Sequence, residues 1–197
     1  MAKNHMTAKE SISRLTKMGL LVALSVVLVL LIRIPIFPAA PYLIYDMADV
    51  PILLGAFLLG PVAGLEILLV VSGIQAFLLS PDGIIGMIMH FFASGVLILV
   101  SYGIYKLGRK TTRSMILGLI LGTAAMAATM VPLNLIFTVY FYGVPKEAVV
   151  ALLVPIIIPF NLIKAGANSI LLFLIFKSIR FIFKEHKQKL LESNMTK

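Results

Sequence analysis

Asn161, Lys164 and Asn168 stand three and four residues apart in a stretch that is otherwise almost wholly apolar. On a helix that spacing puts all three side chains on one face. A lysine charge at a bilayer centre costs roughly 2.5–3.5 kcal/mol, so Lys164 needs a designated partner. The basic end of the segment begins at Lys177, roughly 20 Å further along a helix rising 1.5 Å per residue. That is beyond a snorkelling side chain. Two chemistries fit. The stripe can hold a polar ligand, or Lys164 can close a structural ion pair with Asp46, Asp49 or Glu66. Asn134 adds a fourth polar residue at depth. It follows Pro132, whose missing N–H frees the Ala128 carbonyl and can kink the helix. Asn161 likewise follows Pro159, with Pro155 one turn earlier. Two kinked helices, each presenting an asparagine just past a proline, can build a pocket with spare backbone acceptors. The alternative for each asparagine is a bond across a helix pair, worth about 0.6–2 kcal/mol.

Other chemistry is missing. The chain has no G-x-x-x-x-G-K-[ST] phosphate loop and no H-E-x-x-H. Its three histidines, His5, His90 and His186, are too scattered for a metal site on one helix. The absence of cysteine excludes disulfides, thiolate metal sites and cysteine nucleophiles. Glu66 is the only carboxylate well inside an apolar run, and a proton relay or sodium site normally needs more. A membrane-embedded enzyme would need a nucleophile–base pair, clustered acids or metal ligands at depth. No internal repeat of the kind found in self-sufficient carriers is visible. The residues thus describe a place to hold something, with no catalytic set, no metal, no cofactor and no engine.

The elements that position these residues follow from composition. The 197 residues are 60% hydrophobic and 13% charged, with mean hydropathy +1.07. Lipid is therefore the main solvent, and the length allows one bundle without a separate soluble domain. The net charge of +9 would suggest nucleic acid in a soluble protein. Here most basic residues fall in three clusters between apolar runs: Lys3 to Lys17, Lys106 to Arg113, and Lys177 to Lys197. That is a topology signal, and no nucleic-acid partner is expected. Clear spans are predicted near 15–34, 84–105, 114–142 and 149–179, and the apolar run 47–79 is broken by Gly60-Pro61. If all three basic clusters are cytoplasmic, 47–79 must supply two short helices or a re-entrant hairpin. The expectation is an all-α integral membrane protein of six helices, both termini cytoplasmic. It has an N-terminal segment 1–14, a membrane domain 15–183 and a tail 184–197. Pro35, Pro38 and Pro41 crowd the position where a signal peptide would be cut, so the first apolar run reads as a retained helix. The loops 33–46, 80–83 and 142–146 then lie outside. The first ends in Tyr42-Leu43-Ile44-Tyr45-Asp46 and is either a lid across the bundle or an ordinary structured turn. Gly19 and Ala23 make a small-xxx-small pair on the first helix, and Gly118 and Gly122 repeat the spacing on the fifth. Such faces let helices approach closely, within the chain or against a partner.

Several stretches together closely resemble one family, the riboflavin-specific substrate-binding (S) subunits of bacterial energy-coupling-factor vitamin transporters. They are Pro41-Tyr42-Leu43 with Asp46 and Asp49-Val50-Pro51, Gly60-Pro61-Val62-Ala63-Gly64, Leu121 to Met126, Leu133-Asn134, and Ile158-Pro159-Phe160-Asn161-Leu162-Ile163-Lys164. The likeness runs in register over nearly the whole chain. The resemblance implies a six-helix S-component bundle in a bacterial cell membrane, with an outward-facing pocket under the first external loop. It implies riboflavin as transported ligand, with Asn134, Asn161 and Lys164 among the contacts. It also implies a transmembrane T subunit and two cytoplasmic ATPases as the engine, with Gly19 and Ala23 as the nearest match to the T-subunit face. Riboflavin's uracil-like edge suits an asparagine amide, and Lys164 can donate to a carbonyl or ribityl oxygen. Its ring plane wants apolar walls, for example Tyr42, Leu43 and Phe160. Asp46 and Asn168 complete the candidate set. The chain departs from many relatives at Val71-Ser72, where they carry Lys-Asn, and at His90, where they carry Asn. It also departs at Pro132 and at Asn168. The competing assignments are an S component for another flavin or vitamin, or an enzyme in the membrane.

Overall fold

The computed structural model describes residues 7–38, 40, 43–79 and 83–195, with side chains through residue 181. Helix α1, Ala8–Leu31, starts on a capping box. Thr7 Oγ1 accepts from the Glu10 N–H at 3.3 Å and Glu10 Oε2 accepts from the Thr7 N–H at 2.8 Å, so two orphan donors are satisfied. The helix thus begins well before residue 15. A two-residue antiparallel hairpin follows, β1 (Ile34–Pro35) on β2 (Ile44–Tyr45), with Ile34 opposite Tyr45 and Pro35 opposite Ile44. This hairpin departs from a purely helical expectation. Helix α2, Asp49–Leu59, and α3, Pro61–Ile74, occupy the long apolar run. The break falls at Gly60, whose φ of +102° suits a residue without a Cβ, and Pro61 opens the next helix where its missing N–H costs nothing.

Helices α4 (Gly83–Leu107) and α5 (Thr112–Leu133) form a hairpin capped at Thr111, whose hydroxyl accepts from the Ser114 N–H at 3.2 Å. Gly118 and Gly122 let this pair close, since a Cβ at either would collide with Ser101. Helix α6, Lys146–Leu152, runs through a wide π turn into α7, Ile158–Met195, so helix continues through most of the expected tail. Among the described residues, five helical stretches are long and apolar enough to cross a membrane: Ala8–Leu31, Pro61–Leu79, Gly83–Leu107, Thr112–Thr138 and Lys146–Phe181. The sixth rod, α2, has 11 residues, roughly 16 Å at 1.5 Å each, and is shorter than a full span.

The bundle is packed at one end and hollow at the other. Toward the basic clusters, Phe57 of α2, Tyr102 and Tyr105 of α4 and Phe176 of α7 form an aromatic plug with ring centroids 5.0–6.3 Å apart. Leu68, Leu97, Leu119 and Leu172 fill the layers beside it. Among the described residues, three π-helical turns lie in the other half, at Gln75–Leu79, Asn134–Thr138 and Leu153–Ile157. The last two sit beside Pro132 and around Pro155, where absent N–H groups loosen the normal ladder. A π turn swells the helix and turns one extra residue inward, which suits a cavity wall.

Candidate functional site

The hollow half encloses a cavity of about 610 Å³, within the roughly 300–1,000 Å³ of small-molecule pockets. Asn134 reaches it from the second π turn, and Phe160, Asn161 and Lys164 reach it from the first turns of α7. Leu43, Ile44 and Asp46 close it from the segment between the first two helices. Of the residues singled out from the sequence, the fold therefore brings Asn134, Asn161, Lys164, Phe160, Leu43 and Asp46 to one space. Tyr42 lies outside the described residues, as do Pro41 and 80–82.

Lys164 resolves the choice among three carboxylates. Its Nζ donates to Asp46 Oδ2 at 2.7 Å, with both side chains 13% exposed. Asp49 instead faces His90, and Glu66 faces Arg14 at 3.6 Å on a more exposed surface. The Lys164 ammonium keeps further donors beyond this bond, and it still borders the cavity.

Asn134 and Asn161 share a local device. Each Nδ2 donates to the carbonyl four residues back, Met130 and Ile157 respectively, at 2.8 Å. The bond orients the amide on its own helix, and a second N–H of each amide exceeds that requirement. The Thr138 hydroxyl donates to Asn134 Oδ1 at 3.1 Å. These intrahelical bonds are not the cross-helix ties weighed as the alternative.

Asn168 is placed differently from its two companions. It is fully buried below the cavity rather than on its wall. Its Nδ2 donates to the Asp46 carbonyl and its Oδ1 accepts from the Tyr45 hydroxyl, both at 3.1 Å. The Ala48 N–H donates to Asp46 Oδ1 at 3.0 Å. Asn168 therefore pins the segment that carries Asp46, and Asp46 holds Lys164.

Several wall residues escaped the sequence reading. Met126 and Met130 of α5 and Thr138 of the following π turn continue the four-residue spacing of Asn134 along the wall, and Met87 and Met89 of α4 also line it. The stripe was legible as a period, but methionine at such spacing reads equally well as core. Arg33 borders the mouth and its Nη1 donates to the Leu79 carbonyl at 2.7 Å. Ser72 and His90 also line the wall. Gly19 and Ala23 are far from this site. Both are exposed on α1, and a Cβ at Gly19 would meet nothing within 4 Å.

The chain matches the family model of the substrate-specific component of ECF transporters over residues 13–176. The chain belongs to that family. This S component is 34% identical to the riboflavin transporter RibU of Staphylococcus aureus, over 87% of this chain and 92% of that one. It is 28% identical to the riboflavin transporter FmnP of Bacillus subtilis, over 86% of this chain and 93% of that one. The solved S component of a bacterial ECF transporter superposes with a TM-score of 0.77 at 34% identity, covering 88% of this chain and 99% of that chain. The S component is thus a multi-pass protein of the bacterial cell membrane, and its family consists of transporter components rather than enzymes. The alternative of a membrane-embedded enzyme falls with that finding.

Proposed function

We propose that this S component binds riboflavin and delivers it to an ATP-driven uptake transporter. The observation that carries the reading is the cavity, where Asn134, Asn161 and Lys164 meet between walls of methionine and phenylalanine. A flat, weakly polar ring system needs such walls, and its carbonyl and N–H edge needs a few fixed polar groups. An asparagine amide supplies both donor and acceptor, and the lysine supplies further donors. The relatives named as riboflavin transporters support the choice of ligand.

The positive-inside rule puts the basic ends of the bundle in the cytoplasm, and the cavity then opens outward. A T subunit docks on the first helix through Gly19 and Ala23, and two cytoplasmic ATPases supply the energy that this chain has no motif to harvest. The outward-facing Gly19 supports this use of the face over packing within the chain.

Titration of the purified protein against riboflavin, FMN, thiamine and biotin tests the assignment. The expected result is a saturable quench of riboflavin fluorescence and a flavin absorbance spectrum that copurifies with the protein. No flavin binding, or tighter binding of thiamine or biotin, overturns the ligand.

A further inference from the structure

Asp49, His90 and Ser72 sit on three different helices and form a chain of hydrogen-bonding groups that ends on the cavity wall. Asp49 opens α2, and its side chain is 1% exposed. Its Oδ1 lies 3.1 Å from His90 Nε2 on α4. His90 Nδ1 lies 2.9 Å from Ser72 Oγ on α3. Ser72 and His90 both line the cavity, whereas Asp49 lies behind them.

With Asp49 ionised and His90 neutral, the chemistry of the three groups sets the direction of the protons. An ionised carboxylate only accepts, so the proton between Asp49 and His90 belongs to Nε2. A neutral imidazole protonated there has Nδ1 as an acceptor. Ser72 has a single hydroxyl proton, and it is drawn to that nitrogen. Its oxygen then turns lone pairs, and no proton, toward the cavity. We propose that the Asp49–His90 pair makes Ser72 a hydrogen-bond acceptor on the wall, so that this position takes an N–H or O–H of the ligand and rejects a carbonyl oxygen. Ser72 is the contact, and His90 and Asp49 are positioning residues. This inference rests on the cavity being the riboflavin site, and riboflavin carries both kinds of donor, a ring N–H and ribityl hydroxyls.

Two measurements test it. The first is the nitrogen NMR spectrum of ligand-free protein labelled at histidine, with the His90→Gln variant assigning the signal among His5, His90 and His186. His90 is expected as the neutral Nε2–H tautomer, and an Nδ1–H tautomer or a doubly protonated ring overturns the relay. The second is riboflavin titration of the parent, Ser72→Ala, Asp49→Asn and the double variant. Loss of the acceptor should weaken binding roughly tenfold. Asp49→Asn should cost less in the Ser72→Ala background than in the parent, because it acts through Ser72. A Ser72→Ala protein that binds like the parent overturns the relay while the flavin reading stands. Additive losses overturn the positioning role of Asp49. A parent that binds no riboflavin overturns the flavin reading instead, and the tautomer then decides the relay.

Discussion

Lys164 carries two demands at once, and they can be separated. Its bond to Asp46 neutralises a largely buried carboxylate, and breaking such a pair from one side costs roughly 3–5 kcal/mol because the remaining charge is stranded. Lys164→Met should therefore lower the unfolding temperature of the detergent-purified protein. Adding Asp46→Asn removes the stranded charge and should restore most of that loss. Riboflavin affinity in the double variant should stay reduced by roughly 1–3 kcal/mol, the cost of leaving a ligand acceptor unpaired. A double variant that binds as tightly as the parent would make the lysine purely structural. Asn161→Ala should lose a similar roughly 1–3 kcal/mol of binding with little change in stability, since its described bond runs within its own helix. Normal titration of that variant would remove Asn161 from the pocket.

At the scale of elements, the segment between α1 and α2 joins the cavity to the bundle. Its far end is held at Tyr45 and Asp46 by Asn168 and Lys164 of α7. Among the described residues, its near end is held by the short β1–β2 ladder and by Arg33 on the Leu79 carbonyl. Such an arrangement suits a lid that closes from one side around a fixed root. A ligand favours the closed form only through contacts absent from the open one, and Leu43 and Ile44 on the wall offer them. Hydrogen exchange of a peptide covering 33–48 should slow when riboflavin saturates the protein. Asn168→Leu, which unpins the root, should speed exchange there in the ligand-free state. Equal protection with and without ligand would leave this segment as an ordinary turn.

For the whole molecule, the asymmetry between a packed end and a hollow end separates binding from assembly. The aromatic plug and the leucine layers isolate the cavity from the basic end. Helix α1 contributes only Ser25 and Val29 to the buried interior, which leaves Gly19 and Ala23 on an outer face. Leucine at either position should therefore leave riboflavin titration unchanged. It should block close approach of a partner helix, so the T subunit would no longer copurify and uptake in cells would fall. If the isolated Gly19→Leu protein loses flavin binding, this face packs within the chain and the docking assignment is wrong.

Much of this architecture was already written in one dimension. Lipid as solvent requires long apolar helices with charges gathered at their ends, and Gly60-Pro61 allowed two short rods in the run 47–79. The common face of Asn161 and Lys164, and the loosened helices beside Pro132 and Pro155, followed from helical periodicity and a missing N–H. The motif around Pro159 to Lys164 already pointed to the S-component family, to which the family model and the riboflavin-transporter relatives assign the chain. Periodicity says which residues share a face, but not how far one helix slides or turns against another. That is why only the tertiary structure could choose Asp46, 118 residues away, as the partner of Lys164. The same packing put Asn168 under the loop rather than in the pocket and gathered Asp49, His90 and Ser72 from three helices. Contacts between helices depend on the relative rotation and translation that side-chain packing decides, and no spacing along a single chain encodes them directly.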